Sequence, residues 1–301
     1  MINYFMAATL SLLISLFLTP LARKIALNFG ILDVPGPDKL HRNVIPRAGG
    51  LSIFFGFLSA IVYMVISRSI DPNIITLVML GAAAMLCLGF IDDLRGVSPS
   101  IKFAVQFSVA LALALSGVRI GSLPYLFSVF ITLFWIVGVT NAVNLQDGMD
   151  GLAAGISGAA SLCFFAVGSI QGDRSLALVS LALAGSCLGF LKYNMFPASI
   201  FMGDTGSLFL GYMLSVLGVM STSDASNFLS LFVPVLILGV PVFDTLISIF
   251  RRFLEHKSMF RSDLGHFYNL MLDSKRLSYE QVIIVIYIFS ILLGVSSLCL
   301  L

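Results

Sequence analysis

The chain has 301 residues, 58% of them hydrophobic and only 11% charged, and its mean hydropathy is +1.03. This composition excludes an ordinary soluble domain, in which about a quarter of the residues are charged. The net charge of +2 says little about partners, and we expect no nucleic acid among them.

Ten apolar segments run through the chain, and each has close to the ~20 residues that a membrane-spanning helix needs. They are residues 3–26, 48–67, 74–91, 101–118, 123–140, 152–171, 175–193, 205–222, 228–250 and 279–300. We therefore predict an all-α fold: a polytopic integral membrane protein of about ten transmembrane helices, with a single domain over residues 1–301.

The distribution of charge predicts how these segments are oriented. Arg23 and Lys24 follow the first segment, the reverse of a cleavable signal peptide, so we expect a retained helix with its N-terminus outside. If the segments alternate, 14 of the 17 lysines and arginines fall on one side, which the positive-inside rule assigns to the cytoplasm. Both termini then lie outside. Twelve of the 15 acidic residues fall on the cytoplasmic side as well, which predicts an active site there.

The first acidic cluster is "GFIDDLRGVSPS", residues 89–100, in which Asp92 and Asp93 end the third segment. Two adjacent carboxylates are unfavourable near the negative end of a helix dipole, so a metal ion or a basic partner is expected beside them. The alternative is an exposed pair that water solvates.

The second cluster is "NAVNLQDGMDGL", residues 141–152. Asn141, Asn144, Asp147 and Asp150 follow one another at intervals of three, which makes them neighbours on a helix. The glycines allow close approach of a ligand, and oxygen-only side chains suit a hard cation such as Mg²⁺. A helix cap with polar packing is the alternative.

Two further acids stand in apolar surroundings. In "KYNMFPASIFMGDTGS", residues 192–207, Asn194 and Asp204 lie in a predicted loop, and helix capping explains Asp204 about as well as metal binding. In "PVFDT", residues 241–245, Asp244 lies about two turns inside the ninth segment, and an intramembrane acid is a functional hypothesis by default.

Basic residues come from two loops, "DKLHRNVIPRAGG" (38–50) and residues 251–269. We interpret Arg251, Arg252 and Lys257 as a topology signal with lipid headgroup contact. For Arg42, Arg261 and His266 we favour anion binding, and Lys39 is a further basic residue of the first loop.

Mg²⁺ ligands beside phosphate-binding cations are typical of phosphoryl transfer, whose catalysis is mostly positioning and charge neutralisation. The Asp pair, the 141–152 run, "FMGDTGS" (201–207), "PVFDT" and "HRNVIPRAGG" follow one another in order over nearly the whole chain. This set resembles the polyprenyl-phosphate N-acetylhexosamine 1-phosphate transferases. The resemblance implies a Mg²⁺-dependent transfer of a sugar 1-phosphate from a UDP-sugar to undecaprenyl phosphate, with release of UMP at the cytoplasmic face.

Carried over by position, the resemblance makes Asn144 and Asp204 the ligands of Mg²⁺, with Mn²⁺ as an alternative. Asp92 and Asp93 lie near the lipid phosphate, and Asp147 and Asp150 around the nucleotide and metal; these four acids form the predicted catalytic group. The predicted substrate-binding residues are Lys39, Arg42, Asn141, Asn194, Asp244, Arg261 and His266. The resemblance implies that the protein lies in the bacterial inner (plasma) membrane. Its implied partners are undecaprenyl phosphate, a UDP-HexNAc and membrane lipid, and a homodimer is possible.

The last cytoplasmic loop departs from the family pattern. His266 is followed by Phe267, Tyr268 and Asn269, whereas the branch that uses UDP-GlcNAc usually reads His-x-His-His, and the branch that uses UDP-MurNAc-pentapeptide reads a triple His. "DDLRG" also lacks the Lys typical of the peptidoglycan-precursor enzyme. We therefore favour a simple UDP-HexNAc, most commonly UDP-GlcNAc. A deoxy-HexNAc donor or UDP-MurNAc-pentapeptide is the alternative. The expected role is the start of a cell-envelope polysaccharide, such as O-antigen or lipopolysaccharide.

A phosphate monoester has a second pKa of about 6, so the attacking group is largely dianionic at neutral pH and needs little help from a base. We therefore expect Asp92 and Asp93 to organise charge rather than act as an obligatory base. Two other classes remain as alternatives. A transporter or flippase would place its acids near the bilayer midplane, often within inverted repeats. A catalytically dead scaffold would lack part of the metal set.

Overall fold

The computed structural model describes residues 1–36, 42–121, 123–222, 228–256, 265–274 and 276–301. Lys39 and Arg261 lie outside these residues, so their predicted roles stay predictions. The helices are α1 Ile2–Phe29, α2 Gly49–Ile66, α3 Pro72–Arg95, α4 Pro99–Leu115, α5 Tyr125–Leu145, α6 Leu152–Gln171, α7 Arg174–Asn194, α8 Gly203–Met220, α9 Val233–Ile237, α10 Gly239–Leu254, α11 Phe267–Asp273 and α12 Tyr279–Ser297. There are also two 3₁₀ helices in the described residues. Phe228–Phe232 comes directly before α9, and Leu298–Leu300 directly after α12.

The protein is an all-α integral membrane protein. Within the described ranges, seven helices are long and apolar enough to cross a membrane, or eight if the bent pair formed by Phe228–Ile237 and Gly239–Leu254 counts as one span. All ten predicted segments coincide with helical structure. However, α4 has only 17 residues, and α8 is not one of the seven helices that are long and apolar enough to cross a membrane. The count of ten transmembrane helices therefore stays a prediction.

The ninth predicted segment, residues 228–250, is expected to be one spanning helix, but the structure divides it into two helices with a bend between them. The chain turns by 84° at Leu238, between α9 and α10. Pro234 and Pro241 flank the bend, and a proline supplies no backbone N–H to the preceding turn. As a result, Asp244 lies on the second of two helices, at a buried position of α10.

Helix α8 is the centre of the bundle. Every residue from Thr205 to Val219 is buried, and the helix packs against α2, α3 and α5. A helix that protein surrounds on all sides does not need a lipophilic surface, because lipid never contacts it. This explains how α8 can carry Asp204 in its first turn.

The polar sequence clusters meet at one end of the bundle. The C-terminal ends of α3 and α5 and the N-terminal ends of α2 and α8 lie there, because consecutive long helices run in opposite directions. At the other end, Asp71 and Asp173 each cap the start of their own helix by accepting from the backbone N–H of Asn73 and Leu176. Helix capping therefore accounts for both of these acids.

A short hairpin holds the loop before α2 against the loop before α8. Strand β1 (Leu32–Asp33) pairs antiparallel with β2 (Ile45–Pro46). Beyond it, the N–H of Phe201 donates to Pro46 O (2.8 Å), and the N–H groups of Gly49 and Gly50 donate to Phe201 O (2.9 Å) and Met202 O (3.0 Å). The two sequence motifs "IPRAGG" and "FMGDTGS" are thus joined by backbone hydrogen bonds, which bring Arg47 beside the start of α8.

Gly89 sets how closely α3 approaches the first turn of α8. A Cβ at this position would lie 2.2 Å from the backbone O of Asp204. We expect Gly89→Ala to lower the unfolding free energy by roughly 1–3 kcal/mol, because the extra methyl group overpacks a rigid contact. The matched control is Gly138→Ala in α5, where a Cβ meets no atom within 4 Å. Thermal unfolding in detergent compares the two variants, and equal midpoints would contradict the close packing of α3 on α8.

Candidate active site

Asp204 in α8 is the acid on which the basic side chains converge. Its Oδ2 accepts a hydrogen bond from Lys102 Nζ at 2.6 Å, and its Oδ1 lies 3.8 Å from Arg47 Nη2. The same Lys102 ammonium donates to Asp92 Oδ2, also at 2.6 Å. One lysine therefore joins the acid pair of α3 to the acid of α8.

Asp92 and Asp93 are adjacent but differ in their surroundings. The Oδ1 of Asp92 accepts from the backbone N–H of Val97 (2.6 Å), which leaves the Lys102 contact on the other oxygen. Asp93 forms an ion pair with Arg47 Nη2 at 2.5 Å and accepts from the backbone N–H groups of Asp204 and Thr205. The basic partners expected for this pair are thus Lys102 and Arg47.

Asn144 and Asp147 complete the cluster from the end of α5. Asn144 Nδ2 donates to Ser207 Oγ (2.7 Å), so the amide oxygen is the group available to a ligand. Burial raises the pKa of Asp147 well above its usual value; the charges of Asp204 and Asp93 add to the increase, and Arg47 opposes it. Ionised Asp147 is therefore unfavourable here unless further positive charge arrives.

Arg47 remains charged in this setting. Burial lowers the pKa of its guanidinium, but the carboxylates of Asp93, Asp33 and Asp204 outweigh that effect and raise the pKa overall. Its second close acid is Asp33 of β1, whose Oδ1 lies 3.7 Å from Nη1. Arg47 thus links the hairpin, α3 and α8 by charge.

The donor chemistry fits a magnesium ion shared with a substrate. In the part of the chain that the structure describes, no group of three or more His, Cys, Asp or Glu side chains is arranged to hold a metal by itself. Mg²⁺ usually takes only one or two carboxylates from the protein and the remaining oxygens from water and substrate phosphates. Asp204 and the Asn144 amide oxygen match that pattern, and the cluster contains more carboxylates than cations.

The side chains of three predicted site residues form hydrogen bonds with other parts of the protein. Asn141 Nδ2 donates to Gln106 Oε1 (2.6 Å) and to Val137 O (2.7 Å). Asp150 Oδ2 accepts from the N–H of Ala198 (2.8 Å). Asn194 accepts from the N–H of Gly151 (3.1 Å) and donates to Ile200 O (3.0 Å). The bonds of Asp150 and Asn194 hold the 147–151 loop against the 195–200 loop, whereas those of Asn141 join α5 to α4. Substrate contact by the three side chains stays a prediction.

Asp244 and His266 form a buried pair beside this cluster. The Oδ2 of Asp244 lies 2.8 Å from His266 Nδ1 and accepts from Gln146 Nε2 (2.6 Å), while Oδ1 accepts from the N–H of Phe267 (2.7 Å). The His266 ring also stacks on Tyr268, with centroids 5.9 Å apart. Asp244 therefore orients His266, and Gln146 connects this pair to the 141–152 run.

We expect Asp244→Asn to lower kcat/KM for the UDP-sugar by roughly 10- to 100-fold, because orienting partners have effects of this size on the groups they hold. An amide in place of the carboxylate cannot satisfy the three donors around it. The measurement is steady-state kinetics of Asp244→Asn, His266→Ala and the double variant. Since one residue is expected to act through the other, the double variant should be no worse than His266→Ala alone. Fully additive losses would contradict this link.

Sequence reasoning gave Arg47 and Lys102 no role in the site, although the structure places both at its centre. Lys102 had a signal: it is a charged residue one turn into the apolar helix α4, where a charge needs a partner. The predicted anion-binding Arg42 is exposed, and its role stays a prediction.

Comparison with known proteins finds a family model and several relatives that are similar to this chain. Residues 75–222 match the model of glycosyl transferase family 4, which covers the chain from the first turn of α3 to the end of α8. A Bacillus subtilis protein named probable undecaprenyl-phosphate N-acetylglucosaminyl 1-phosphate transferase is 38% identical over 100% of this chain and 86% of its own length. A Mycobacterium tuberculosis decaprenyl-phosphate N-acetylglucosaminephosphotransferase is 31% identical over 92% and 77%. A Salmonella typhi undecaprenyl-phosphate alpha-N-acetylglucosaminyl 1-phosphate transferase is 30% identical over 95% and 83%.

Proposed function

The chain belongs to glycosyl transferase family 4, and from that membership we propose that it transfers N-acetylglucosamine 1-phosphate from UDP-GlcNAc to a polyprenyl phosphate. Relatives named for this activity align over most of their own length. The observation that carries the proposal is the cluster of Asp92, Lys102 and Asp204, joined by one ammonium at 2.6 Å from each acid. It combines acids and cations in the way that phosphoryl transfer requires.

The reaction joins two anions, so charge is its main obstacle. An oxygen of the polyprenyl phosphate forms a bond to the sugar-linked phosphorus, the bond from that phosphorus to the UMP oxygen breaks, and UMP leaves. Lys102 and Arg47 are basic side chains that contact the acids of the site, and they offset repulsion between the lipid phosphate and the diphosphate. Asp92 is held by Lys102 and by Val97 N–H, which is the arrangement of a charge-organising group rather than a free base.

We propose Mg²⁺ as the cofactor, held by Asp204 and Asn144, with Asp147 nearby to balance charge. When bound, Mg²⁺ neutralises the diphosphate and stabilises the departing UMP. The raised pKa of Asp147 supports the proposal, because an additional cation would relieve the cost of ionising that acid. Without the ion, the surplus of carboxylates would repel a diphosphate.

The finer features are proposals of the same kind. The excess of lysine and arginine on one side supports a cytoplasmic active site in a bacterial plasma membrane. Undecaprenyl phosphate is the carrier named in two of the relatives above, and decaprenyl phosphate is named in the third. The start of a cell-envelope polysaccharide is the corresponding role. Unlike the midplane acids of a transporter, Asp92 and Asp93 lie in the last turn of their helix and Asp204 lies in the first turn of its own.

The test is turnover by purified protein in detergent with Mg²⁺, either undecaprenyl or decaprenyl phosphate, and separate UDP-sugars. The panel contains UDP-GlcNAc, a deoxy-HexNAc donor and UDP-MurNAc-pentapeptide, and mass spectrometry follows UMP and the lipid product. UMP release with one GlcNAc on the lipid diphosphate, lost on chelation, is the expected result. Turnover with only the muramoyl donor would overturn the sugar assignment. If the folded protein turned over no donor with either prenyl carrier, the activity itself would be excluded.

A further inference from the structure

All four acceptor positions of the Asp93 carboxylate are taken by protein donors. Oδ1 accepts from Asp204 N–H (3.0 Å) and Arg47 Nη2 (2.5 Å), and Oδ2 accepts from Thr205 N–H (3.0 Å) and Thr205 Oγ1 (2.6 Å). A carboxylate offers about four lone-pair sites, so this one is saturated. Its side chain is also 0% exposed, against 12% for Asp92. The two members of the acid pair are therefore not equivalent.

These bonds fasten α3 to the first turn of α8. The first N–H groups of a helix lack partners within the helix, and an ionised acceptor also interacts favourably with the positive end of the helix dipole. Asp93 supplies this cap from another helix. Gly203 permits the approach: its φ is +69°, and a Cβ there would lie 2.4 Å from Asp93 Oδ2.

We infer that Asp93 is a positioning residue, which holds the first turn of α8 and so aims the carboxylate of Asp204, and that it does not contact the lipid phosphate. Arg47 strengthens this role, because it bonds Asp93 and faces Asp204 with the same nitrogen. Asp92 is then the acid of the pair that a substrate reaches. The role of Asp204 as a metal ligand rests on the proposed function, whereas the hold on α8 does not.

The first arm of the test measures hydrogen exchange of the amides of residues 203–206. Asp93→Asn should raise the exchange rate of the Asp204 and Thr205 amides by about tenfold, since an amide cannot serve four donors as a carboxylate does. The matched control is Asp92→Asn, one residue away, which should leave these rates unchanged. Equal protection in the parent protein and Asp93→Asn would overturn the inference. This arm needs no turnover, so it decides the positioning role even if the proposed function fails.

The second arm measures the effect on Asp204, with Mn²⁺ as a paramagnetic probe in the presence of UDP. Thr205 is buried, and Thr205→Val removes only the hydroxyl bond to Asp93. We expect about tenfold weaker Mn²⁺ binding with an unchanged KM for polyprenyl phosphate, because loss of a hydrogen bond to the charged Asp93 loosens its hold on the first turn of α8. Thr205→Ser, which keeps the hydroxyl, should restore binding.

The contrary result for the second arm is a raised KM for polyprenyl phosphate in Asp93→Asn while Mn²⁺ affinity stays at the parental value. That combination would assign Asp93 to the lipid phosphate. If Thr205→Val does not fold, Asp93→Asn supplies the same comparison. If the parent protein binds no Mn²⁺, the proposed metal site fails, and the exchange rates of the first arm alone decide whether Asp93 holds α8.

Discussion

Asp204→Ala should reduce transfer by about three orders of magnitude or more, the size of effect expected when a group that stabilises transition-state charge is removed. Asp204 is the acid that Lys102 contacts at 2.6 Å and Arg47 faces at 3.8 Å. Its loss removes a proposed metal ligand and leaves Lys102 bound to Asp92 alone. The measurement is the initial rate of UMP release and of lipid product, at saturating concentrations of both substrates.

The matched control for this variant is Asp173→Ala. Asp173 also lies at the start of a buried helix, but at the opposite end of the bundle, where it caps α7. We expect that control to lose about 1 kcal/mol of stability and no activity in the assay. Parental turnover in Asp204→Ala, with the thermal midpoint preserved, would remove Asp204 from the chemistry.

Lys102→Met should lower transfer by about 100-fold or more, because it removes a preorganised cation from a site where two anions must meet. A single ammonium contacts Asp92 and Asp204, so its loss also leaves two partly buried carboxylates facing each other. Lys102→Arg should recover only part of the rate, since a planar guanidinium cannot reproduce contacts made by a point charge. Rates at several Mg²⁺ concentrations are the measurement.

Lys192→Met is the matched control for this second variant. Lys192 is exposed at the end of α7 and lies over the Tyr193 ring, 5.8 Å from its centroid. We expect parental activity there. If Lys102→Met and Lys192→Met behaved alike, the cluster of Lys102 with two acids would be a structural ion pair without a role in transfer. If a higher Mg²⁺ concentration alone restored the transfer rate of Lys102→Met, the role of Lys102 would be limited to charge compensation.

The sequence allowed the helices and the grouping of the acids at one end of the bundle to be predicted. Ten apolar segments coincide with helical structure because long hydrophobic runs have few other solutions in a membrane. The grouping of Asp92, Asp93, Asn144 and Asp204 at one end also agrees with the expected polar face. Here the alternation of segments placed residues far apart in sequence at the same end of the bundle.

The detailed roles of these residues were not predictable, because they depend on contacts between helices. Asp93 and Asp92 are neighbours in sequence, yet one points into the start of α8 and the other pairs with Lys102. Arg47 reaches Asp93 only because the hairpin and the 201–202 backbone hold its loop in place. The bend at Leu238 was not predicted, although two prolines flank it.

The burial of α8 has a consequence for biogenesis. A helix with Asp204, two threonine or serine hydroxyls and two glycines in its first turn and a half is a poor candidate for independent insertion by the translocon, which selects for apolar side chains. Its packing partners α2, α3 and α5 all precede it in the chain, so they are synthesised before it emerges. Membrane integration of α8 should therefore depend on helices already made, and a truncated chain that lacks them should fail to retain it in the bilayer.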